Sequence, residues 1–465
     1  MSEKICRSIG SEQEKSLLGN DPGDIKASRD TAISVVRRLQ KAGHEAYFVG
    51  GCVRDLLRGV EPEDYDIVTS AKPDEVHRLF PHTVPVGIRF GVVIVVEEGH
   101  NYEVATFRTE HDYEDGRRPS YVEFTTAEDD VRRRDFTVNA LLMDPLTGSI
   151  IDYVGGKQDI EKCLIRTIGS AEERFGEDHL RMLRAVRFAA NLGYEIDPEA
   201  FEAIKVNVSA ISRISVERIR DELTKLLTHG GARRGMEILA ETGLLAEILP
   251  EVDVLRGVEQ PPQFHPEGDV WEHILRMLDL MSLCKGLEND QRLAWGIIMH
   301  DIGKACTRTE NGTGIHFYGH VREGEKIAEK LMRRLRFSRT DMETILALIH
   351  CHMLFIHVQE MRPNRLKRFL RMPDFELHLE LHRLDCLGSH AFLDNYEFCT
   401  SKLAEVNADE LHPPRLLNGN DLIDMGFSPG PLFSEILRAV EDAQLDGEIT
   451  TSDEARVMIR NRWCK

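Results

Sequence analysis

Apolar positions recur with two different periods along the chain, and the period changes near residue 155. Residues 29–43, RDTAISVVRRLQKAG, repeat apolar side chains at helical spacing and predict an amphipathic helix that ends at Gly43. The runs EAYFVGG and YDIVTS predict strands, and RFGVVIVVEE with NYEVATFR predicts a β-hairpin around GHN. TEHDYEDGRRPSY has no apolar period and predicts a mobile polar loop. Residues 28–155 are therefore expected to form a small-sheet α/β unit.

From residue 156 onwards the apolar spacing is helical. The Pro-rich segment PPQFHPEGD at 261–269 indicates a boundary before a His-rich helical region, and HPPRLLNGND at 412–421 indicates a second junction. The expected fold class is α+β, with a small-sheet head followed by all-α parts. The expected divisions are a flexible tail at 1–27, the head at 28–155, a helical neck or body at 156–260, a His-rich all-α domain at 261–405 and a helical tail at 406–465.

Composition narrows the class of protein. The chain has 465 residues, 42% hydrophobic and 30% charged, which suits several soluble domains of about 100–200 residues each. The N-terminal segment lacks the apolar core of a signal peptide, and no apolar run approaches the ~18–20 residues of a membrane span. Nine cysteines without a C-x-x-C pair favour a reducing compartment. We therefore expect a cytoplasmic protein with no membrane association and no obligate protein partner.

The net charge of −20 by itself argues against a nucleic-acid binder. Basic residues nevertheless cluster in VRRRDF (131–136), RMLRAVRF (181–188), RRLRFSR (333–339) and RPNRLKRFLR (362–371). Because the local field steers a polyanion more than the net charge does, these clusters keep an RNA partner open.

The stretch FVGGCVRDLLRGVEPEDYDIV, residues 48–68, places a glycine turn between a predicted strand and a predicted helix. Gly50 and Gly51 let the backbone turn sharply and approach a ligand. The free N–H groups of a helix N-terminus and Arg54 on the first turn suit phosphate oxygens. Two glycines alone more often make an ordinary turn, so the phosphate site is a hypothesis.

Asp64 and Asp66 lie one residue apart at the edge of a predicted strand, where alternate side chains share a face. Two carboxylates on one face repel each other unless a cation joins them, and Mg²⁺ prefers carboxylates together with substrate phosphates. Glu103, on a neighbouring predicted strand, is a candidate third acid. The alternative is a set of solvated surface acids.

Two basic clusters supply further candidates. In VRRRDFTVNAL, Arg134 and Asp135 offer a donor and an acceptor to a sugar or a triphosphate, with a solvated basic face as the alternative. In EDHLRMLRAVRF, Asp178 and Arg181 are spaced i, i+3 on a predicted helix and suit the reading of a base edge. The alternative for this pair is a surface salt bridge.

Arg184 and Arg187 continue the ridge of Arg181, whereas Leu180, Leu183 and Val186 lie away from it and are expected to be buried.

The motifs GGCVRD, DYD, YEDGRRPSYVEF, RRDFTVNAL, IDYVGGKQDI and IRTIGSAEERFGEDHLRMLRAVRFAA follow one another over residues 45–250. In this order they closely resemble the bacterial class II tRNA nucleotidyltransferase/poly(A) polymerase family. The resemblance implies a nucleotidyltransferase head, a flexible loop at YEDGRRPS that helps to switch from CTP to ATP, and selection of CTP or ATP by protein side chains.

The resemblance also assigns roles to residues. Asp64 and Asp66 would hold catalytic Mg²⁺, and Glu103 stays a candidate third acid from its strand position alone. The resemblance implies a nucleotide-binding set of Gly51, Arg54, Arg134, Asp135, Asp178, Arg181, Arg184 and Arg187, in which Asp178 and Arg181 take the template role, and the glycine turn adds Gly50 as a candidate.

A second constellation lies in the His-rich region. AWGIIMHDIGKA contains adjacent His300 and Asp301, with other histidines and an aspartate at His273, His320, His350, His352 and Asp385. An adjacent His–Asp pair with remote histidines and a remote aspartate suits a first-row metal.

The order H…HD…H…H…D resembles the HD phosphohydrolase superfamily, which implies one or two metal ions and hydrolysis of phosphoesters by metal-activated water. The expected ligands are His273, His300, Asp301, His320, His350 and Asp385, with His352 as the alternative to His350 and a divalent transition metal of unspecified identity. The alternative is a domain kept for helical packing or RNA contact.

Together these features predict a template-independent RNA nucleotidyltransferase that adds CCA to tRNA from CTP and ATP and releases pyrophosphate, with phosphohydrolase activity of the HD domain as an open addition. An A-adding enzyme or a poly(A) polymerase is the close alternative, because all three bind ATP on the same scaffold. A further alternative is an HD phosphohydrolase that only binds RNA. RPNRLKRFLR is a candidate contact with the tRNA backbone.

Overall fold

A computed structural model describes residues 22–84, 90–113, 119–312, 314–405 and 411–463. The chain divides into two compact units, Met1–Pro250 and Glu251–Lys465. The expected α+β class is confirmed, since the sheet lies in the first unit and helices dominate the rest. The finer domain boundaries stay predictions.

The head is built on a seven-stranded sheet. Its strands alternate buried and more exposed positions, as expected of a sheet with two different faces. The strands of the first unit, in chain order, are β1 (Ala46–Val49), β2 (Ile67–Thr69), β3 (Thr83–Val84), β4 (Val92–Glu97), β5 (His100–Thr106), β6 (Arg108–Tyr113), β7 (Pro119–Phe124), β8 (Leu142–Met143), β9 (Ile150–Ile151), β10 (Leu164–Ile165) and β11 (Glu195–Ile196).

The seven strands of the main sheet are ordered β3-β4-β5-β2-β1-β8-β9. The β4–β5 hairpin confirms the sequence prediction, and every pair is antiparallel except β2 with β5, which run parallel. The β2–β5 pairing matters for function because it sets Ile67 opposite Val104 and so brings Asp66 and Glu103 to the same edge.

The prediction of a polar loop over residues 109–121 is wrong in part. β6 and β7 form an antiparallel hairpin there, with Thr109 opposite Glu123. The pattern missed it because a two-stranded ribbon that does not join the main sheet has no apolar alternation to display. Most of the YEDGRRPS loop, residues 114–118, lies outside the described residues.

Helices cover the head sheet and continue beyond it. Val35, Val36 and Leu39 of the first helix pack against Phe48 and Ile67 of the sheet. This helix begins at Pro22, inside the tail predicted at 1–27. The helices up to residue 253 are α1 (Pro22–Lys41), α2 (Gly51–Leu57), α3 (Pro73–Leu79), α4 (Ala127–Arg132), α5 (Gly156–Glu161), α6 (Ala171–Glu177), α7 (Leu180–Leu192), α8 (Pro198–Asn207), α9 (Val216–Thr228), α10 (Ala232–Thr242), α11 (Leu244–Ile248) and α12 (Pro250–Asp253), with 3-10 helices at Thr137–Asn139 and Val208–Arg213.

In its described residues, the second unit is built of helices and of the small hairpin of β12 (Thr309–Asn311) and β13 (Gly314–His316). Trp295, Ile297 and Ile298 of one central helix are fully buried. The helices are α13 (Val270–Met281), α14 (Gln291–Met299), α15 (Lys304–Thr307), α16 (His320–Arg334), α17 (Arg339–Cys351), α18 (Pro363–Leu370), α19 (Phe375–Gly388), α20 (Asp394–Glu405), α21 (Gly419–Asp424), α22 (Pro431–Leu445) and α23 (Ser452–Trp463), with a 3-10 helix at His352–Glu360.

By length and composition alone, the stretch Arg339–Glu360 is apolar enough to cross a membrane. It comprises α17 and the 3-10 helix that follows, where Ile345, Leu348 and Ile349 are fully buried in the unit. Core helices of soluble proteins pass the same test, so this stretch is weak evidence for a membrane protein.

Candidate active site and metal centre

The glycine turn joins β1 to α2 next to the carboxylates. Gly50 has φ +79°, a conformation that favours glycine, and α2 begins at the next residue. A Cβ on Gly50 would lie 3.9 Å from both Asp66 Oδ2 and Arg134 Nη1. The N-terminus of α2 therefore lies beside the carboxylate of Asp66 and the guanidinium of Arg134. A site for a metal-bound phosphate requires such an arrangement.

Asp64, Asp66 and Glu103 form a cluster of negative charge at the sheet edge. Removal from water and then the charges of Asp64 and Glu103 raise the pKa of Asp66 to about 6, against a lowering effect of Arg134. All three residues remain exposed, so a ligand can reach them. Such a group lowers its repulsion by binding a divalent cation, and carboxylate oxygens are the ligands that Mg²⁺ prefers.

Arg54 is 8% exposed and is held by two partners. Its Nη1 donates to Asn139 Oδ1 at 2.6 Å, and its Nη2 pairs with Asp55 at 2.9 Å. Sequence reasoning missed Asn139, whose buried Nδ2 has no hydrogen-bond partner among the described residues. Contact of Arg54 with a nucleotide stays a prediction, and the pairing holds its guanidinium in place.

Arg134 is oriented by Asp130, a fully buried acid that the sequence reading also missed. Asp130 accepts from Arg133 at 2.7 Å and from Arg134 at 3.0 Å. Burial acts to raise the pKa of Asp130, but the two guanidinium groups prevail and lower it. The negative charge that fixes Arg134 lies four residues before it, directly ahead of the cluster VRRRDF.

Asp135 and Arg184 face each other across two elements. Arg184 donates to Asp135 Oδ2 at 2.8 and 2.6 Å through Nε and Nη2. Burial acts to raise the pKa of Asp135, and the charge of Arg184 overcomes it and lowers the pKa. Arg187 pairs with Glu222 of α9 at 2.6 Å.

Asp178 and Arg181 do not pair with each other. The helix begins at Leu180, so Asp178 precedes it in an extended conformation. Asp178 instead accepts from Arg218 at 2.8 Å, and Arg181 pairs with Glu177 at 2.5 Å. The predicted i, i+3 geometry on one helix is therefore corrected, whereas their template role stays a prediction.

Phe188 gathers the arginines of this region. The guanidinium carbons of Arg54, Arg184 and Arg187 lie 5.7, 5.2 and 4.1 Å from its ring centre. The structure thus brings α2 and α7 to one ring, and the expected burial of Leu180, Leu183 and Val186 on the other face of α7 is confirmed. An aromatic residue within an arginine ridge was the sequence signal that could have indicated this.

The second unit brings together the expected HD residues. His273 Nε2 lies 3.1 Å from Asp385 Oδ1, and His300 Nε2 lies 3.1 Å from Asp301 Oδ2. Ligand atoms of His273, His300 and Asp301 all lie within 4.8 Å of one another. The buried Nε2 atoms of His273 and His300 thus each face a carboxylate oxygen. Imidazole nitrogens grouped with carboxylates fit a divalent first-row metal.

A second group shares Asp301 with the first. His320 Nε2 and His352 Nε2 lie 3.6 and 3.8 Å from Asp301 Oδ1, and 3.4 Å from each other. His350, the predicted ligand, is corrected: it lies on the surface and pairs with Glu325 at 2.6 Å. Residues two positions apart on a helix point in directions about 200° apart around the helix axis. His350 and His352 therefore point to different sides, and only His352 faces the group.

Three neighbours of the group were missed in the sequence. Lys304 Nζ lies 2.6 Å from Asp301 Oδ2, and the Oε1 atom of Glu267 lies 2.8 Å from nitrogens of both His265 and His273. Burial acts to raise the pKa of Glu267, but the two histidines lower it to about 2. His265 and Glu267 stand in the segment PPQFHPEGD, whose prolines indicate only a junction.

Fold and site together define a nucleotidyltransferase head joined to helical domains, and comparison with known families agrees. Residues 46–166 match the family model of the Poly A polymerase head domain. Residues 193–255 match the model described as "Probable RNA and SrmB- binding site of polymerase A", and residues 270–375 match the HD domain.

Named relatives and one solved structure show which family the chain belongs to. The CCA-adding enzyme of Geobacillus kaustophilus is 46% identical over 265 residues, which cover 56% of this chain and 65% of that protein. The CCA-adding enzyme of Geobacillus thermodenitrificans is 53% identical over 221 residues, which cover 47% of this chain and 54% of that protein. These alignments span just over half to about two thirds of the curated relatives.

The crystal structure of the Bacillus stearothermophilus CCA-adding enzyme in complex with CTP superposes with a TM-score of 0.71 at 31% identity. That comparison covers 93% of this chain and 97% of the other. The chain therefore belongs to the CCA-adding enzyme family.

Proposed function

We propose that this protein adds CCA to the 3′ end of tRNA from CTP and ATP, without a nucleic-acid template, and releases pyrophosphate. The observation that carries the proposal is the cluster of Asp64, Asp66 and Glu103 beside the Gly50 turn, in a chain of this family. Relatives named CCA-adding enzymes, one of them solved with CTP, support the same activity.

Asp64 and Asp66 are the residues that would hold Mg²⁺, with Glu103 as the third acid on the neighbouring strand. Mg²⁺ bound there supplies the charge that lets an RNA 3′-hydroxyl approach a triphosphate and neutralises the leaving pyrophosphate. The turn at Gly50 directs the N–H groups of α2 towards the phosphates, and Arg134, held by Asp130, adds a fixed positive charge. Positioning and electrostatic stabilisation supply most of the catalysis in such transfers.

Nucleotide selection is assigned to Asp178 and Arg181. Their partners, Arg218 and Glu177, hold the carboxylate and the guanidinium in fixed orientations. A fixed acceptor and a fixed donor can distinguish bases by their hydrogen-bonding edges. Arg184 and Arg187 are assigned to the phosphate side of the same site, with Asp135 and Glu222 as their anchors.

Single-nucleotide assays test the proposal against an A-adding enzyme or a poly(A) polymerase. The purified chain is incubated with CTP alone or ATP alone on tRNAs that end before C, before CC or before CCA. Incorporation of two C residues from CTP and one A from ATP is expected. A-only incorporation, or long A tails, would refute CCA addition.

A second function is favoured by the buried group around Asp301. We propose that the second unit is a metal-dependent phosphohydrolase, whose metal would be held by His273, His300, Asp301 and Asp385, with His320 and His352 at a second position. A divalent transition metal supplies an activated water for phosphoester hydrolysis. Release of inorganic phosphate by the full chain with Mn²⁺, Co²⁺ or Ni²⁺ tests this, and loss of metal binding in His300→Ala is expected.

A further inference from the structure

The cavity next to the HD metal residues has walls of two kinds. It has a volume of about 680 Å³ and reaches Asp301, His320, His352 and Asp385 on the side of the metal group. Its remaining walls include aromatic and apolar side chains, namely Phe264, Phe317, Tyr318, Met353 and Ile356. The metal group therefore explains only one end of this cavity.

Tyr318 is the most exposed of these aromatic residues, at 76%. Its ring stacks on His316, with centroids 5.2 Å apart and planes inclined by 16°. This stacking covers one face of the phenol ring, and the high exposure leaves the opposite face open. An exposed ring held parallel to a second ring is a surface on which a planar group can stack.

The backbone holds Tyr318 close to the metal group. His316 ends β13, and Gly319, with φ +80°, starts α16 at His320. His320 Nδ1 is 2.9 Å from the carbonyl of Phe317, which ties the residues on either side of Tyr318 together. The stacking surface is thus two residues from His320, a proposed metal ligand. A ligand whose phosphate lies at the metal group could therefore place its planar group on Tyr318.

The charge of the cavity limits what the ligand carries. Lys304 is the one lysine or arginine among the lining residues, and Asp301 and Gln260 already hold its Nζ at 2.6 Å each. Among the described lining residues, no further lysine or arginine is available for a second or third phosphate. The cavity matches a ligand with one phosphoester at the metal end and a planar, weakly polar remainder.

We propose that Tyr318, supported by His316, is a stacking platform for the nucleobase of the phosphoester that the HD site hydrolyses. This inference rests on the phosphohydrolase function proposed above. A free mononucleotide and the terminal nucleotide of an RNA share the required chemistry, a base joined through ribose to one phosphate.

Binding to the full chain, loaded with Mn²⁺, tests the platform. GMP is the probe because every base has a face that can stack and the proposed head activity uses only CTP and ATP; ribose 5-phosphate is the matched ligand without a base. We expect Tyr318→Ala to weaken GMP binding about tenfold in equilibrium dialysis and to change ribose 5-phosphate binding less than about twofold, and Tyr318→Trp to retain GMP.

Leu283 provides the control variant. It is 76% exposed, as Tyr318 is, and it belongs to the second unit without being among the residues that line the cavity, so Leu283→Ala should leave GMP binding unchanged. Equal weakening of GMP and ribose 5-phosphate by Tyr318→Ala, or no weakening of GMP, would overturn the platform. A GMP loss in Leu283→Ala as large as in Tyr318→Ala would also overturn it.

Hydrolysis separates this inference from the function on which it rests. Water would cleave the phosphoester of GMP to guanosine and inorganic phosphate, which a phosphate assay detects. Tyr318-dependent binding without phosphate release from GMP or from an RNA trinucleotide with a 3′-phosphate would refute the hydrolase and leave the platform intact. Tighter Tyr318-dependent binding of the trinucleotide than of GMP would assign the RNA end, and the reverse would assign the free nucleotide.

Discussion

The ionised carboxylate of Asp66 opposes folding of the metal-free protein. Its pKa of about 6 lies above the ordinary value of 3.8 because of desolvation and then the charges of Asp64 and Glu103. A carboxyl whose pKa is raised by folding favours the protonated form in the native state. Its contribution to stability is full below pH 3.8 and is lost as the pH rises through 6.

Asp66→Asn should therefore stabilise the metal-free protein at pH 8 and have little effect at pH 4. The gain is on the order of 1 kcal/mol after solvent screening, because Asp66 is exposed. Thermal unfolding in EDTA at the two pH values measures the change in stability. A separate incorporation assay should show loss of nucleotide transfer. An equal change in stability at both pH values would contradict the proposed charge repulsion.

Asp130 is the buried acid on which two arginines depend. Asp130→Asn removes one charge of a buried pair and should lower the free energy of unfolding by about 3 kcal/mol. It should also raise the KM for CTP, because Arg134 loses its anchor. Denaturant unfolding and steady-state kinetics measure the two effects.

Glu128→Gln is the matched control, since Glu128 pairs with Arg132 at 2.7 Å on the exposed side of the same helix. A surface pair contributes only about 0–1 kcal/mol. Equal losses in Asp130→Asn and Glu128→Gln would show that burial does not matter here.

At the scale of elements, the β1–α2 turn depends on one backbone conformation. Gly50→Ala places a side chain at φ +79°, which should cost about 1 kcal/mol of stability and displace the N-terminus of α2. Displacement of about 1 Å lowers transfer rates by about 100-fold, so incorporation should fall by that order.

Gly43→Ala tests the same strain away from the site. Gly43 has φ +89°, and a Cβ there meets nothing within 4 Å. We expect a similar loss of stability in thermal unfolding and normal incorporation. If Gly43→Ala impaired incorporation as much as Gly50→Ala, the turn would have no special role.

The loop after the His300–Asp301 pair lies directly against α16. A Cβ on Gly303 would stand 2.1 Å from the carbonyl oxygen of His320, so Gly303→Ala must separate two ligand-bearing segments. We expect a loss of about 2 kcal/mol and weaker Mn²⁺ binding by isothermal titration calorimetry. Gly312→Ala, with nothing within 4 Å of its Cβ, should change neither.

At the scale of the whole molecule, the two proposed activities use separate residues in separate units. Asp64→Ala with Asp66→Ala should abolish nucleotide incorporation and leave phosphate release unchanged. His300→Ala with Asp301→Ala should do the reverse. Radiolabelled CTP incorporation and phosphate release, measured on the same preparations, compare them; incorporation that survives the first pair of changes would exclude the proposed head site.

Local apolar periodicity predicted much of the architecture. The head hairpin β4–β5 and the helices of the second half follow from local periodicity, which needs only neighbouring residues. The β6–β7 hairpin was missed because TEHDYEDGRRPSY shows no apolar alternation in its sequence.

The ion-pair and hydrogen-bond partners of the site residues were the part of the site that the sequence predicted least. Arg218 and Glu222 belong to α9, 40 and 35 residues from Asp178 and Arg187, and only packing brings them together. Asn139 stands inside VRRRDFTVNAL and Asp130 directly before it, but their roles depend on burial, which local spacing does not show.

The sequence by itself determined the class of elements, the D-x-D pair on a strand edge, and the His–Asp pair with its distant histidines, because residue type and short spacing carry that information. Only the tertiary structure decided that His352 and not His350 joins Asp301, that Asp178 pairs with Arg218, and that Glu267 contacts His273. Those choices depend on which face of each helix is buried and on contacts between distant segments, and both are settled only when the whole core packs.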